Sequence, residues 1–315
     1  MKQGIITLGE ALIDFIPLDE QNTVYQKSPG GAPANVAVGL ARLGMKSTFL
    51  GKVGEDVFGR FLQETLKGHR VRINQMHLTP DVRTGVVLVT NGEDGERSFE
   101  FYIDPSADRF LLVDDIDEED LVSHKILHFG SISMISSPAR EATQYAVKIA
   151  KENGLLISYD PNLRLGLWDS EEAARDTIQL MLGEADVVKL SEEELEFITG
   201  EKELDAGVKK LSSYDIPFLI ITMGADGSYV FTGEARQYVP AMKVQAVDTT
   251  GAGDAFVSGI LYSIHEHKGG IESLSIDEAV RMARFASVSG ALAASTKGAM
   301  TALPSLEEVQ VRLKK

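Results

Sequence analysis

Short apolar runs of strand composition alternate along this chain with longer segments of helical period, and this alternation constrains the fold more than any other feature. In Pro33–Leu43, for example, the apolar positions recur at helical spacing. Strands that alternate with helices are joined by right-handed crossovers. The pattern therefore predicts an α/β fold with a mostly parallel sheet and helices on both faces. The runs that we interpret as buried strands are Ile5–Leu8, Ser47–Leu50, Ile126–Phe129, Leu155–Tyr159, Val187–Leu190 and Phe218–Thr222.

Two segments depart from this alternation. Asp14–Ser28 is too polar for a buried strand. Further on, Gly85–Thr90 and Arg97–Tyr102 flank the sequence Asn91-Gly92-Glu93-Asp94-Gly95, whose turn-forming residues are typical of a β-hairpin. We expect these half-polar strands to form a small sheet that projects from the main one.

Composition excludes several classes of protein. The chain has 315 residues, 43% of them hydrophobic, and a formal net charge of −16. This is too hydrophobic for a disordered chain and too acidic for a nucleic-acid or anionic-membrane surface. No segment approaches the ~18 uninterrupted apolar residues of a membrane helix. There is no cysteine, which excludes disulfides and thiol chemistry and leads us to expect a reducing cytoplasm.

The sequence Asp248-Thr249-Thr250-Gly251-Ala252-Gly253-Asp254-Ala255-Phe256 is the strongest chemical signal. Small residues at the start of a helix leave backbone amides free to bind an anion, and the helix dipole favours negative charge there. Asp254 would lie beside that anion, where a carboxylate makes sense as the acceptor of a proton from an attacking hydroxyl. The alternative is a capping acid without catalytic function.

Other common catalytic motifs are absent from the sequence. It contains neither G-x-x-x-x-G-K-[ST] nor a G-x-G-x-x-G after the first strand. It also lacks H-E-x-x-H and the G-x-S-x-G nucleophile elbow. These absences argue against a P-loop enzyme, a nicotinamide dehydrogenase, a zinc protease and a serine hydrolase.

A second group of residues favours binding of a polyhydroxylated ligand. Gly30 and Gly31 precede a helix and allow a ligand to approach the main chain, and Asn35 offers both a donor and an acceptor. Asp14, shortly after the first strand, can accept hydrogen bonds from two hydroxyl groups. Taken separately, Gly30 and Gly31 also fit an ordinary loop before an N-terminal proline.

Together, Gly30–Ala37 and Asp248–Phe256 resemble the two signatures of the PfkB, or ribokinase-like, carbohydrate kinase family, and the resemblance extends over essentially the whole chain. Gly30–Gly44 is most similar to bacterial fructokinases. The resemblance implies a Rossmann-like three-layer sandwich with a mostly parallel central sheet and a small β-sheet lid. It also implies a single domain over residues 1–315, with the lid formed by segments at about 12–30 and 84–108. The implied activity is transfer of the γ-phosphate of ATP to a hydroxymethyl group of D-fructose.

The same resemblance implies roles for individual residues. Asp254 would be the catalytic base, beside an anion hole at Gly251, Ala252 and Gly253. Residues that would bind the sugar are Asp14, Gly30, Gly31, Asn35 and Arg164. Residues that would bind ATP are Thr222, Gly224, Gly227 and Lys189, and a monovalent cation, K⁺, would lie near Asp248 and Thr250.

The resemblance also implies that Glu194 acts on Mg²⁺ through water. The family motif N-x-x-E is incomplete here because Ser191 stands in place of the asparagine. The alternative for Glu194 is an exposed acid at the start of a helix.

Arg164 belongs to the sequence Asp160-Pro161-Asn162-Leu163-Arg164, which follows a predicted strand. Open α/β sheets bind ligands at the carboxyl ends of their strands. Arg164 would face phosphate oxygens or the substrate, and the alternative is an Arg–Asp pair that only stabilises the fold.

Several activities stay open on the sequence alone. Within the family, the substrate could instead be 2-keto-3-deoxygluconate, ribose or a nucleoside. The fold could also serve a sugar or nucleotide sensor without activity, since fold does not fix function. We further expect a homodimer through the lid, because an exposed sheet with apolar Phe99 and Phe101 favours association.

Overall fold

The computed structural model describes residues 2–92 and 97–314. Each of the six predicted buried strands is present, with its bounds shifted by at most a few residues. The strands are β1 (Ile5–Leu8), β2 (Leu12–Pro17), β3 (Tyr25–Gly30), β4 (Ser47–Gly54), β5 (Arg72–Thr79), β6 (Gly85–Asn91), β7 (Arg97–Phe101), β8 (Ile126–Phe129), β9 (Leu156–Tyr159), β10 (Val187–Ser191), β11 (Phe218–Thr222), β12 (Gly227–Thr232) and β13 (Ala235–Pro240).

Helices connect these strands and cover the main sheet on both faces. They are α1 (Ala32–Arg42), α2 (Val57–Gly68), α3 (Glu118–Val122), α4 (Ala139–Glu152), α5 (Glu171–Leu182), α6 (Glu192–Thr199), α7 (Leu204–Leu211), α8 (Ala252–Glu266), α9 (Ile276–Ala294) and α10 (Leu306–Leu313). Helices α4 to α7 pack on one face, and α1, α8 and α9 pack on the other.

The main sheet has nine strands within the described residues, in the order β13-β12-β11-β10-β9-β8-β1-β4-β5. The seven from β11 to β5 are parallel, and β12 and β13 add an antiparallel edge. The predicted fold class, a three-layer α/β sandwich with a mostly parallel sheet, is therefore confirmed.

Strand β1 shows why a short apolar run is enough to define the layers. Ile6 and Leu8 pack into the core beneath α4 to α7, whereas Ile5 packs against α1 and α8. Successive side chains of a strand point to opposite faces, so a strand that is apolar at every position must be covered on both sides.

A second sheet, with the order β3-β2-β6-β7, lies apart from the main one. The polar segment Asp14–Ser28 contributes to it, since β2 and β3 pair antiparallel with Asp14 opposite Ser28. Strands β6 and β7 pair as the hairpin predicted from the sequence. Residues 93–95 of the predicted turn lie outside the described residues.

The strand order places a crevice at β1. The chain runs from β1 to β4 and β5 on one side, and later returns to place β8 on the other side of β1. At such a reversal the loops that leave two neighbouring strands diverge, and ligands bind there in open α/β sheets. The loops after β1 and β8 begin at Gly9 and Gly130.

Candidate active site

A cavity of about 400 Å³ lies between the carboxyl ends of the main-sheet strands and the second sheet. The second sheet contributes Asp14, Val87 and Phe101, and the main body contributes Lys189 and Asp254. The other predicted site residues that line it are Gly31, Asn35, Arg164, Thr250, Gly251 and Gly253. The two sequence signatures, more than 200 residues apart, thus meet in one cavity.

Asp254 lies in the first turn of α8, as the sequence predicts. The helix begins after Gly251, which takes φ 76°, a left-handed conformation that glycine adopts without steric cost. No side chain donates or accepts a capping hydrogen bond at this helix start. Asp254 therefore forms no capping hydrogen bond here, and its role as the base stays a prediction.

The carboxylate of Asp254 is held by α1, the helix that follows Gly30 and Gly31. Asn35 in α1 donates from Nδ2 to Oδ2 of Asp254 at 2.8 Å. One turn further along α8, the Ser258 hydroxyl lies 2.7 Å from the Asp254 carbonyl oxygen and 3.3 Å from that of Val36 in α1, so it contacts both helices. The Oδ1 atom of Asn35 is buried and has no hydrogen-bond partner within the described residues, so it is available to a ligand in the cavity.

Asp254 is 8% exposed, and its surroundings set its protonation. Burial raises the pKa of Asp254 to about 6, while the hydrogen bond from Asn35 works in the opposite direction. Asp160 adds to the rise, and Arg164 and Lys189 oppose it. Near neutral pH the group is therefore ionised yet basic enough to take a proton.

Asp14 faces the same cavity from strand β2. Burial raises its pKa to about 7, with Arg164 opposing and Asp254 adding to the rise. Gly30 lies in β3, opposite Leu12 of β2. It lies against the Asp14 carboxylate, so that residue 30 has no room for a side chain of its own. A glycine at position 30 therefore leaves space for the Asp14 carboxylate.

Two cations balance this acidic cavity. Lys189 Nζ lies 3.2 Å from Asp160 Oδ1 and 3.9 Å from Glu194 Oε2. Burial lowers the pKa of Lys189, but these carboxylates outweigh it and keep the pKa above its usual value. Arg164, on the loop after β9, donates to the Asn162 and Leu163 carbonyl oxygens at 3.4 and 3.1 Å. The only salt bridge of Asp160 within the described residues is to Lys189.

Lys189 and Arg164 also line a neighbouring groove of about 460 Å³, beside Glu194 and Phe197. The two cations thus stand between two ligand-sized spaces. This is the position from which a positive charge can contact a group that passes from one space to the other.

Glu194 is buried, so the alternative reading of an exposed acid is wrong. It forms a capping box at the start of α6, in which Ser191 N donates to its Oε2 at 2.8 Å. Its Oε1 accepts from Leu163 N, also at 2.8 Å. The carboxylate therefore joins the loop after β9 to the end of β10, and its action on Mg²⁺ stays a prediction.

The predicted anion hole lies at the amino end of α8. Gly251 and Gly253 line the cavity. The amide of Ala252 already donates to the Thr249 carbonyl oxygen at 3.1 Å, so it can serve an anion only by exchanging that bond. The roles of these three residues stay predictions.

Asp248 is buried and holds two loops together. Its Oδ1 accepts from Thr250 N and its Oδ2 from Gly298 N, both at 3.1 Å. Gly298 belongs to the loop after α9. The binding of a monovalent cation near Asp248 and Thr250 stays a prediction.

Three predicted ATP-binding residues lie one strand further along the sheet. Thr222 ends β11, and its hydroxyl donates to the Leu190 carbonyl oxygen of neighbouring β10 at 3.3 Å. Gly224 and Gly227 form the turn that leads into β12, closed by a 2.8 Å bond from Met223 N to the Gly227 oxygen. These three residues are not among the described residues that line the 400 Å³ cavity.

Two further acids line the cavity, and neither has a role predicted from the sequence. Glu10 follows β1, and Asp160 follows β9. Both lie at the carboxyl ends of parallel strands, where ligands bind in this class of fold. The rule that points to Arg164 in the segment after β9 applies equally to Asp160, and for β1 it points to Glu10.

Comparisons with known proteins show the family to which this chain belongs. Residues 2–306 match the pfkB family of carbohydrate kinases. A probable fructokinase-7 of Arabidopsis thaliana is 44% identical over 315 residues, which cover 97% of this chain and 91% of that protein.

Two solved structures of a Vibrio cholerae O395 fructokinase have a TM-score of 0.90 to this chain, and 98% of each chain is covered. One is 42% identical and binds fructose, ADP and calcium; the other, a double mutant, is 41% identical and binds fructose, ADP and potassium. Together with the family match and the sheet order, this likeness shows that the chain belongs to the pfkB family of carbohydrate kinases and has the ribokinase-like fold.

Proposed function

We propose that this protein is an ATP-dependent fructokinase, which transfers the γ-phosphoryl group of ATP to a hydroxymethyl group of D-fructose. The fructokinases of 41–44% identity support fructose and ATP as the substrates. The observation that carries the proposal is Asp254, a buried carboxylate with raised pKa, held by Asn35 at the amino end of α8.

In the proposed reaction a sugar hydroxyl oxygen attacks the γ-phosphorus while the bond to the β-phosphate oxygen breaks and ADP leaves. Asp254 Oδ takes the hydroxyl proton. Asp14 and Asn35 hold the other sugar hydroxyls, since the carboxylate accepts and the free Asn35 Oδ1 accepts. Transfer of this kind depends on position and charge neutralisation more than on covalent help from the protein.

The chain carries a net charge of −16, so a nucleotide needs local compensation. Lys189 and Arg164 stand between the cavity and the groove, where they would contact the transferred phosphoryl group. The amino end of α8 adds its dipole and the amides of Gly253 and Asp254. These groups act on the charge that builds up as the bond to the leaving oxygen breaks.

The donor groups fit a magnesium ion that arrives with the nucleotide. Within residues 2–92 and 97–314 no group of three or more His, Asp or Glu side chains is arranged to hold a metal. Mg²⁺ usually keeps several waters and binds through phosphates and one or two carboxylates, and Glu194 is the buried one of the two carboxylates that line the groove. The ion would supply neutralisation of phosphate charge. A K⁺ site near Asp248 and Thr250 rests on the potassium-bound relative.

We also propose that the second sheet serves as a lid over the sugar, formed by segments 12–30 and 84–108 of a single domain. Its Leu12, Asp14, Val87, Phe99 and Phe101 face the cavity. A lid that excludes water prevents hydrolysis of ATP.

The proposed homodimer would cover the part of this apolar face that the main body leaves open, because Phe99 lines the cavity yet is 51% exposed and an open sheet edge favours association. No helix of the described residues combines the length and apolarity needed to cross a membrane. The proposed cytoplasmic location rests on the absence of cysteine.

The test is an ADP-release assay with ATP and a panel of sugars. We expect the highest kcat/KM for D-fructose, with 2-keto-3-deoxygluconate and ribose well below it. A higher kcat/KM for either of these would overturn the choice of substrate. Failure to phosphorylate any of them would favour a sensor.

A further inference from the structure

Glu10, on the loop after β1, is a buried carboxylate to which the proposed reaction gives no part. It is 4% exposed. Its Oε1 accepts a 2.9 Å hydrogen bond from the amide of Ala32, the first residue of α1. It lines the sugar cavity on one side, and on the other a small space that Asp108 also lines.

Helix α1 needs this contact because it has no cap of its own. Its N-cap residue is Gly31, which offers no side chain, and no side chain of the helix start replaces it. The first amides of a helix require an external acceptor. Glu10 provides one from 22 residues away.

The backbone of Glu10 also contacts the start of α1, at Gly31. Gly31 takes φ 100°, and a Cβ there would lie 2.5 Å from the Glu10 carbonyl oxygen. Residue 31 joins strand β3 of the second sheet to α1. The main chain and the carboxylate of Glu10 therefore both hold the place where the second sheet meets this helix.

One turn into α1 stands Asn35, which donates to Asp254. A helix moves as a rigid body over so short a distance, so a shift at Ala32 is passed to the Asn35 side chain. We propose that Glu10 is a positioning residue, whose carboxyl group holds the amino end of α1 so that Asn35 stays bonded to Asp254. The proposal deepens the proposed function, on which its consequence for turnover rests.

Two variants separate the hydrogen bond from the carboxyl group itself. Glu10→Asp keeps a carboxyl group but is one methylene too short to reach Ala32 N. Glu10→Gln removes the carboxyl group but keeps an oxygen at the same reach. We expect kcat to fall about tenfold in Glu10→Asp, the order of a lost helix cap, and to stay within about threefold of wild type in Glu10→Gln. The opposite order would overturn the proposal.

A double-mutant cycle tests whether Glu10 acts through Asn35. Groups that act in one chain of contacts are not additive. We expect Glu10→Asp to cost less than about twofold in kcat when Asn35 is already alanine. An equal loss in both backgrounds would mean that the two residues act independently, and would overturn the proposal.

A measurement on the ligand-free protein keeps this test separate from the proposed function. The Asn35 bond lowers the pKa of Asp254, so an NMR titration of the Asp254 carboxyl carbon should show a higher pKa in Glu10→Asp and little change in Glu10→Gln. The other charges that face Asp254, namely Asp160, Arg164, Lys189 and Asp14, are the same in both variants. An unchanged Asp254 pKa in Glu10→Asp would overturn the positioning role, whereas the absence of sugar phosphorylation by the wild type would overturn only the proposed function.

Glu308→Ala is the matched control. Glu308 accepts from Ser305 N at 2.7 Å in the capping box of α10, a helix whose described contacts do not include the cavity. We expect this variant to lower Tm and to leave both kcat and the Asp254 pKa unchanged. A similar loss of kcat in Glu308→Ala would show that any lost cap lowers activity, and would overturn a specific role for Glu10.

Discussion

Asn35 and Asp254 share a 2.8 Å hydrogen bond between side chains that are 219 positions apart in the sequence. The bond joins the amino ends of two helices that both open into the cavity. An amide that donates to a carboxylate fixes its orientation and stabilises its charged form. The remaining lone pairs of Asp254 and the Oδ1 of Asn35 are left for a ligand.

The first prediction concerns Asp254 as the base. Asp254→Asn keeps the shape and an oxygen for Asn35 but cannot accept the proton. We expect kcat to fall by about 10²–10⁴-fold, the usual contribution of general base catalysis, with KM for fructose nearly unchanged. Steady-state kinetics of the folded variant measure this. Turnover within a few-fold of wild type would remove Asp254 from the mechanism.

The second prediction concerns pH. Burial raises the pKa of Asp254 to about 6 and of Asp14 to about 7. Both groups are proposed to work as carboxylates, so kcat/KM for fructose should rise with pH through this range and level off above it. In Asp14→Asn the rise should move toward the lower value, because only Asp254 then titrates. A midpoint that does not move would exclude Asp14 from the profile.

The third prediction concerns the stability of the ligand-free protein. Folding raises the pKa of Glu10 from 4.5 to about 8, because burial, with Asp108 and Asp254, outweighs the backbone amides that face it. Its contribution to stability is therefore complete below about pH 4.5 and is lost as pH rises through about 8. Between about pH 6 and pH 9 we expect the Tm of Glu10→Gln to fall less than the Tm of the wild-type protein.

The control for this third prediction is Glu308→Gln. Backbone and side-chain hydrogen bonds from Ser305 lower the pKa of Glu308, so it carries the same charge throughout that range. Its variant should show the wild-type slope of Tm with pH. The same slope in Glu10→Gln would mean that Glu10 does not titrate in this window.

The fourth prediction concerns Glu194 and Mg²⁺. Glu194→Gln should raise the Mg²⁺ concentration for half-maximal rate several-fold, since an amide is a poorer partner than a carboxylate for the waters of the ion. Glu192→Gln is the matched control, an exposed acid two positions away in the same helix turn and outside the lining of the groove. If both variants show the same Mg²⁺ dependence as wild type, Glu194 serves only the capping box and the loop at Leu163.

The fifth prediction concerns the oligomer. We expect a dimer at micromolar concentration by light scattering, and Phe99→Asp should convert it to a monomer because the charge would be buried in the lid interface. Val311→Asp, at an equally exposed position, 51%, in α10, should leave the mass unchanged. A monomeric wild-type protein would rule out the dimer.

Much of the fold follows from local pattern. The run Ile5–Leu8 is apolar at every position and becomes a strand covered on both faces. The turn chemistry between Gly85 and Tyr102 predicts the pairing of β6 with β7. The glycines before Asp254 define the start of α8. These features depend on residues close in the sequence, so the sequence alone determines them.

The chemistry of the site depends on contacts between distant segments. The sequence predicts Glu194 as a metal residue or an exposed acid, but only the tertiary structure brings Leu163 N to its carboxylate. Glu10 gives no local signal of its bond to Ala32. The pKa of Asp254 depends on burial and on Asn35, Asp160 and Arg164 together. The energy of a charge depends on which distant groups surround it and on how much water they exclude. Only the tertiary structure therefore determines which acid acts as a base, which joins two loops and which accepts from a helix start.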